Sequence, residues 1–258
     1  MLRHTVSPAG ILILSMLLVA CPRRAVELGK DGAPRSAEDL LKRVEFAEAQ
    51  ITSLNGDAKL FVDSPQGKGA VDLFLAVAPP ASLHIEQLDF FGRPQAVMMT
   101  DGHAFGLFQD GRFLRGTATP QNLARLLPIV IPPGELAAVL LGRAPRMPYE
   151  TLEMRFDDRS QRFVLTLKQG AATQTLEVQP PSYRVVHSEA QGFDAYALTF
   201  GDLTEQNGVT LPKSVTLEAA SSKTKLELTL KSVTLNEAPD ESMFVPEAPP
   251  DVPVEELN

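Results

Sequence analysis

The chain has 258 residues, a formal net charge of −8, 21 prolines, 17 glycines, one cysteine and no tryptophan. Apolar residues make up 44% and charged residues 22%, which permits a packed core and argues against wholesale disorder. The acidic balance argues against nucleic acid as a partner, and a single cysteine excludes an internal disulfide or a cysteine-built metal site.

Residues 1–20 read as an export signal. Arg3 gives a short positive start, and Ala9 to Ala20 is an uncharged, largely apolar run of 12 residues. A bilayer span needs about 20 apolar residues, so this run fits a signal peptide better than a membrane helix. It ends in Leu18-Val19-Ala20-Cys21, which resembles a bacterial lipobox. The resemblance implies cleavage before Cys21, leaving 238 of the 258 residues. It also implies a diacylglyceryl thioether on the Cys21 sulfur and acylation of the new amino group, with no other cofactor. The alternative is an ordinary signal peptide with a chance cysteine. Pro22 stands where an Asp commonly signals inner-membrane retention, which favours the periplasmic face of the outer membrane.

Residues 21–35 carry Gly, Pro and charge without apolar periodicity and read as a tether. Its Arg23, Arg24, Lys30 and Arg35 suit a solvated linker, with contact to anionic headgroups as the alternative. Ser36-Ala37-Glu38-Asp39 is a capping box ahead of Leu40, Val44, Ala47 and Ile51, which predicts a helix over 36–51. From Leu54 the apolar period becomes two. Strands are predicted around 54–62, 71–77, 83–87, 94–101, 103–109 and 112–116, with Asp101-Gly102 and Asp110-Gly111 as hairpin turns. Thr119-Pro120 opens a short helix through Leu127, and Pro132-Pro133 a second from Gly134 to Leu141. Strand periodicity then resumes and lasts to Leu235. Residues 246–258 are Pro-rich and acidic and read as an extended, mobile tail. The expected fold is therefore mainly β, a large antiparallel sheet with a few short helices, whose interior is either filled or encloses a ligand.

This order of parts resembles the LolB family of outer-membrane lipoprotein-insertion proteins, whose relatives include the carrier LolA. The resemblance is carried by Leu88-Asp89-Phe90-Phe91-Gly92, by Pro128-Ile129-Val130-Ile131-Pro132, and by Leu136 with Leu140-Leu141-Gly142-Arg143-Ala144-Pro145. It implies an antiparallel, incomplete (half) β-barrel over 36–245, with short helices as a lid over an apolar cavity that accepts lipoprotein acyl chains and releases them into a membrane. A transferred chain must be shielded, because each CH₂ exposed to water costs about 0.8 kcal/mol. Implied partners are membrane lipid, lipoprotein acyl chains and a periplasmic LolA-like carrier, and a monomer is expected. By position, Phe91 with Phe90 beside it takes the family's membrane-inserting hairpin role; the alternative is that both rings fold onto the sheet as core. Cavity-lining residues are expected among Leu73, Leu75, Leu83, Ile85, Met98, Leu126, Leu136, Leu140 and Leu165.

Other chemistry is thinly represented. His4, His84, His103 and His187 form no metal-binding spacing, and there is no Gly-x-Ser-x-Gly elbow or Gly-rich phosphate loop. Asp157-Asp158-Arg159 reads as a charged turn, and Met98-Met99 as ordinary core or a flexible pocket wall. No catalytic residues are assigned. The competing reading is an envelope sensor or interaction lipoprotein that uses the same fold as a scaffold. A continuous apolar cavity of several hundred Å³ supports lipid binding, and a filled interior supports the scaffold.

Overall fold

The computed structural model describes residues 26–192 and 195–257. Cys21 and the export signal, with Arg23, Arg24 and His4, lie outside the described residues.

Helix α1 (Ala37–Ala49) begins where the capping box places it. Ser36 Oγ accepts from the Asp39 N–H at 3.2 Å, and Asp39 reaches back to accept from the Arg35 N–H at 2.9 Å. Its buried stripe is Ala37, Leu40, Leu41, Val44 and, unexpectedly, Glu48. Six strands follow: β1 (Leu54–Ser64), β2 (Gly67–Ala78), β3 (Ser82–Leu88), β4 (Pro94–Thr100), β5 (Ala104–Gln109) and β6 (Arg112–Thr117). Short helices α2 (Pro120–Leu123) and α3 (Pro133–Leu140) interrupt the strands. The chain returns to the sheet with β7 (Thr151–Asp157), β8 (Arg162–Gln169), β9 (Ala172–Gln179) and β10 (Arg184–Gln191). The last long strands are β11 (Tyr196–Gln206), β12 (Val209–Ala219) and β13 (Thr224–Leu235). A 3₁₀ turn (Glu241–Phe244) leads to a short β14 (Val254–Glu256).

All fourteen strands form one open sheet, ordered β14-β6-β5-β4-β3-β2-β1-β13-β12-β11-β10-β9-β8-β7. Every neighbouring pair is antiparallel except β14 with β6. The ends of the sheet, β14 and β7, are not joined to each other, so the barrel is incomplete. Register follows the alternation: Leu73, Leu75 and Val77 on β2 stand opposite Gln87, Ile85 and Leu83 on β3, and their aliphatic side chains enter the main core. Asp110 (φ 52°) and Gly111 (φ 73°) both take positive φ, as a two-residue type I′ hairpin requires. Asp101 Oδ1 accepts from the His103 and Ala104 N–H groups at 2.8 Å, which fixes the β4–β5 turn. Helix α1 packs on β7, β8 and β10, while α3 packs on β2 and β3. The two helices thus cover different parts of the concave face.

Two expectations change. Helix α2 stops at Leu123 instead of reaching Leu127. Beyond Leu123 the chain tightens into turns, with the Arg125 N–H donating to Asn122 at 3.2 Å and the Leu126 N–H to Leu123 at 3.1 Å, and Leu126, Leu127 and Ile129 all become buried. The segment 246–258, read as a mobile tail, instead returns to the sheet, where Val254–Glu256 pair with β6, and the 3₁₀ turn ahead of it packs there too. By alternation Ala76 and His84 point away from the main core, and on that face the 3₁₀ turn with buried Phe244 packs on β3 and β4. His84 Nδ1 lies 2.9 Å from the Met243 carbonyl and Nε2 lies 2.8 Å from Glu86. A Cβ on Gly106 would sit 2.6 Å from Phe113 Cζ and 2.9 Å from Pro246 Cβ, so only glycine lets this strap lie flush. The strap finds apolar surface because β2 to β6 carry aliphatic and aromatic residues on both faces.

Candidate functional site: the lidded interior and its rim

Beneath the lid lies a small cavity of about 50 Å³ lined only by aliphatic side chains. Of the residues expected to line it, Leu73, Leu75, Ile85, Leu136 and Leu140 do so. Leu83, Met98, Leu126 and Leu165 are buried in the same core but stand away from the cavity wall. The opposite wall comes from β12 and β13, through Val215, Leu217, Leu226 and Leu228. Their alternation was visible in the sequence, but nothing in it says that β13 returns to pair with β1 and brings them across. A volume this small is a filled interior, far below the several hundred Å³ of a ligand pocket.

A second space of about 360 Å³ opens to the surface beside the lid. Ile129, Ile131, Val139 and Leu217 line both this groove and the small cavity, so they form the wall between them. The intervening Val130 is 65% exposed. Ile129 donates its N–H to the Leu127 carbonyl at 2.6 Å, and Leu136 donates to Pro132 at 2.9 Å. Pro128, Pro132 and Pro133 have no N–H to offer, so side-chain burial is the main restraint on this segment. The polar side chains that line the groove are Glu135, Tyr196, Ser221 and Ser222. Tyr196 is the most buried of them: its hydroxyl donates to the Pro145 carbonyl at 3.3 Å, and burial, then the charge of Glu135, pushes its pKa up to about 12. It is neutral at any physiological pH. Larger grooves exist, including one of about 610 Å³ between α1 and the β9–β10 turn, but charged residues such as Lys42 and Arg43 line it.

A buried ionic cluster holds the lid and α1 to the sheet, and sequence reading missed it. Arg184, at the start of β10, is only 1% exposed. It donates to the Ala47 carbonyl at 3.1 Å, to Leu141 at 3.5 Å and to Gly142. Those carbonyls lie at the C-terminal ends of α1 and α3, where a cation is favoured by the helix dipole. Gly142 turns with φ 70°, and a Cβ there would sit 2.7 Å from the Arg184 guanidinium. Glu48 accepts from Arg146 at 2.5 Å. Burial raises the Glu48 pKa, with Arg146 and then Arg184 opposing the shift. Arg143 reaches the Ile51 carbonyl beside it. A lone Arg between a turn and an apolar strand carries no sequence signal of burial, which is why this clasp was not legible.

At the β3–β4 turn the two aromatics face solvent: Phe90 is 95% and Phe91 77% exposed. This overturns the alternative in which they fold onto the sheet. Asp89 organises the turn, accepting from the Phe91 N–H at 2.8 Å, the Arg93 N–H at 2.9 Å and Arg93 Nε at 2.8 Å. The Arg93 backbone N–H, then its side chain, holds the Asp89 carboxyl below the usual range. The rings meet edge to face at 5.5 Å, and Arg93 lies 5.2 Å over Phe91. The groove reaches the same end of the strands as this turn, since its residues Ala195, Tyr196, Ala219 and Ser221 flank the β10–β11 and β12–β13 turns. Gln87, at the end of β3, donates to the Leu126 carbonyl at 3.4 Å and ties that strand to the lid.

Asp157 accepts from the Arg159 and Ser160 N–H groups, so its acidic run serves the β7–β8 turn. Among the described residues no three His, Cys, Asp or Glu side chains gather as a metal site, and no helix is long and apolar enough to cross a membrane.

No family model matches the sequence, and no curated protein matches it. Solved structures do. A LolA superfamily protein from Nitrosomonas europaea superposes with TM-score 0.55 at 13% identity, over 81% of this chain and 97% of its own. A domain from Vibrio parahaemolyticus described as an outer membrane lipoprotein-sorting protein gives TM-score 0.53 at 12% identity, over 81% and 97%. A DUF1329 family protein from Desulfovibrio piger gives TM-score 0.56 at 7% identity, over 81% and 95%. The chain shares its fold with these structures, and at these identities the likeness is one of fold alone.

Proposed function

We propose that this chain is a lipid-anchored bacterial envelope protein, tethered through Cys21 at the outer membrane, whose interior receives acyl chains during lipoprotein localisation. The observation that carries the reading is the shared wall: Ile129, Ile131, Val139 and Leu217 separate a surface groove of about 360 Å³ from an all-aliphatic cavity. An acyl chain that displaces Ile129 and Ile131 replaces one apolar contact with another, which offsets part of the cost of moving them. The interior lacks polar handles, so a chain taken up this way is also free to leave. Exposed Phe90 and Phe91 supply aromatic surface suited to a membrane interface at the same end of the sheet. This is a binding role, and no residue is given a catalytic one.

A second reading is favoured by one observation: the cavity holds only about 50 Å³ with the lid in place. In that reading the protein is an envelope scaffold or sensor with a filled interior. The two are separated by gentle extraction of the lipid-anchored protein, identification of co-purifying lipids and lipoproteins, and titration with a fluorescent long-chain fatty acid. Saturable binding competed by unlabelled acyl chains supports the carrier reading. No co-purifying lipid and no saturable binding supports the scaffold.

A further inference from the structure

The edge strand β6 is covered by the chain's own final segment in the manner of a docked peptide. Val254, Glu255 and Glu256 pair in parallel with Phe113, Leu114 and Arg115. Phe113 donates its N–H to the Pro253 carbonyl at 2.9 Å, and the Leu257 N–H donates to Arg115 at 2.7 Å. Side chains are matched as well as backbone. Glu256 is paired with Arg115, and Glu255 lies 3.7 Å from Arg112. Leu257 enters a notch left by Gly116, where an added Cβ would come within 2.9 Å of Leu257 Cβ. The edge therefore reads two carboxylates followed by one aliphatic residue.

The attachment is local. All three β14 residues are exposed, whereas Phe244, which anchors the strap, is buried. Between them Glu247–Val252 run largely exposed, with prolines at 246, 249, 250 and 253. Segments with few buried contacts open at far smaller free energies than the fold as a whole. Leaving β6 therefore requires no disruption of the Phe244 anchor. An uncovered edge is a template for strand addition by another chain.

We propose that the β6 edge is a peptide-docking site, held in cis by Pro253–Leu257 and taken in trans by an extended segment of a partner protein bearing two acidic residues then an aliphatic one. Charge complementarity with Arg112 and Arg115 and the Gly116 notch set that chemistry. The cis segment competes through its high effective concentration, so a partner must displace it.

The test uses the full chain. Replacing Glu255→Lys, Glu256→Lys and Leu257→Ser together releases the segment, and a fluorescein-labelled Pro-Val-Glu-Glu-Leu peptide is the probe. The released variant should bind the peptide at least 10-fold more tightly than the unmodified chain, and adding Arg115→Glu should remove that gain. A variant with an unchanged unfolding midpoint and no gain in binding overturns the proposal. Hydrogen exchange on the unmodified chain gives a check that needs no variant. The Leu257 amide should exchange at least 100-fold faster than that of Leu107 in β5, and equal protection overturns the proposal. Concentration-dependent dimers that exchange the segment between copies also overturn it.

Discussion

Arg146 donates to Glu48 at 2.5 Å across the junction where α1 meets the chain leaving the lid, and this carboxylate is almost wholly buried. Burial makes Glu48 a weaker acid in the fold than in the unfolded chain, despite Arg146 and Arg184 nearby. A group with a raised folded pKa binds more protons when folded, so stability falls as pH rises through the interval between the two pKa values. That interval starts near the ordinary value of 4.5 and extends upward to the folded one. Glu48→Gln keeps an acceptor for Arg146 and removes the titration. The stability of the natural chain relative to Glu48→Gln should therefore fall as pH rises from 4 upward, before levelling off. Urea midpoints of both proteins across pH 4 to 8 check this; parallel curves would show that Glu48 does not titrate differently on folding.

Arg184 binds the two helix ends to β10 through three carbonyls. Arg184→Met leaves those carbonyls without their donor, and Arg184→Lys cannot reproduce the planar fork. Losing charged hydrogen bonds in a buried site costs about 2–4 kcal/mol, so Arg184→Met should lower the urea midpoint by that equivalent, with Lys between it and Arg. Exchange at the Gly142 and Arg143 amides should rise more than exchange in β5, because the clasp holds the lid end specifically.

The cases of Arg184 and Leu73 show what the sequence discloses. Leu73, Leu75 and Ile85 are legible because strand alternation puts them on one face, and a face rich in Leu and Ile must be covered. Hairpin turns are legible where Asp-Gly supplies positive φ, as at Asp110-Gly111. Long-range pairing is not: β1 with β13 joins residues nearly the whole fold apart, and only their register brings Leu228 opposite Leu60. The same holds for Glu48, a charged residue on the buried helix stripe, whose partner Arg146 lies far along the chain. Proline and acid in the final segment suggested disorder, yet their backbone and charges are matched locally by β6. Composition alone does not register a match of that kind.

Phe90 and Phe91 contribute little to packing, since both rings are exposed and Asp89 holds the turn without them. Phe91→Glu should leave stability within about 0.5 kcal/mol of the natural chain. Burial of an aromatic ring at an interface is worth about 1.5–3 kcal/mol, so loss of Phe91 should weaken binding to phospholipid vesicles roughly 10-fold or more. Vesicle co-sedimentation with the anchor removed isolates the hairpin from the Cys21 lipid. Unchanged partitioning would remove the membrane role of the hairpin while leaving the lid argument intact.

Ile131 gives the most direct test of the lid. Its side chain is buried between the groove and the cavity, and truncation to Ala joins the two spaces. Removing a buried Ile to Ala costs about 2–5 kcal/mol, from lost burial and from the void it leaves. In a scaffold with a filled interior, that loss is the entire effect. In an acyl-chain binder the natural chain spends part of its binding free energy displacing Ile131, and Ile131→Ala removes this cost. The carrier reading therefore expects lower stability together with tighter binding of a fluorescent fatty acid, and saturating fatty acid should restore part of the lost unfolding midpoint by mass action. Leu217→Trp supplies the opposite arm by filling the same wall and should weaken fatty-acid uptake. Destabilisation by Ile131→Ala with fatty-acid affinity unmoved in both variants would show that this wall does not gate a lipid site.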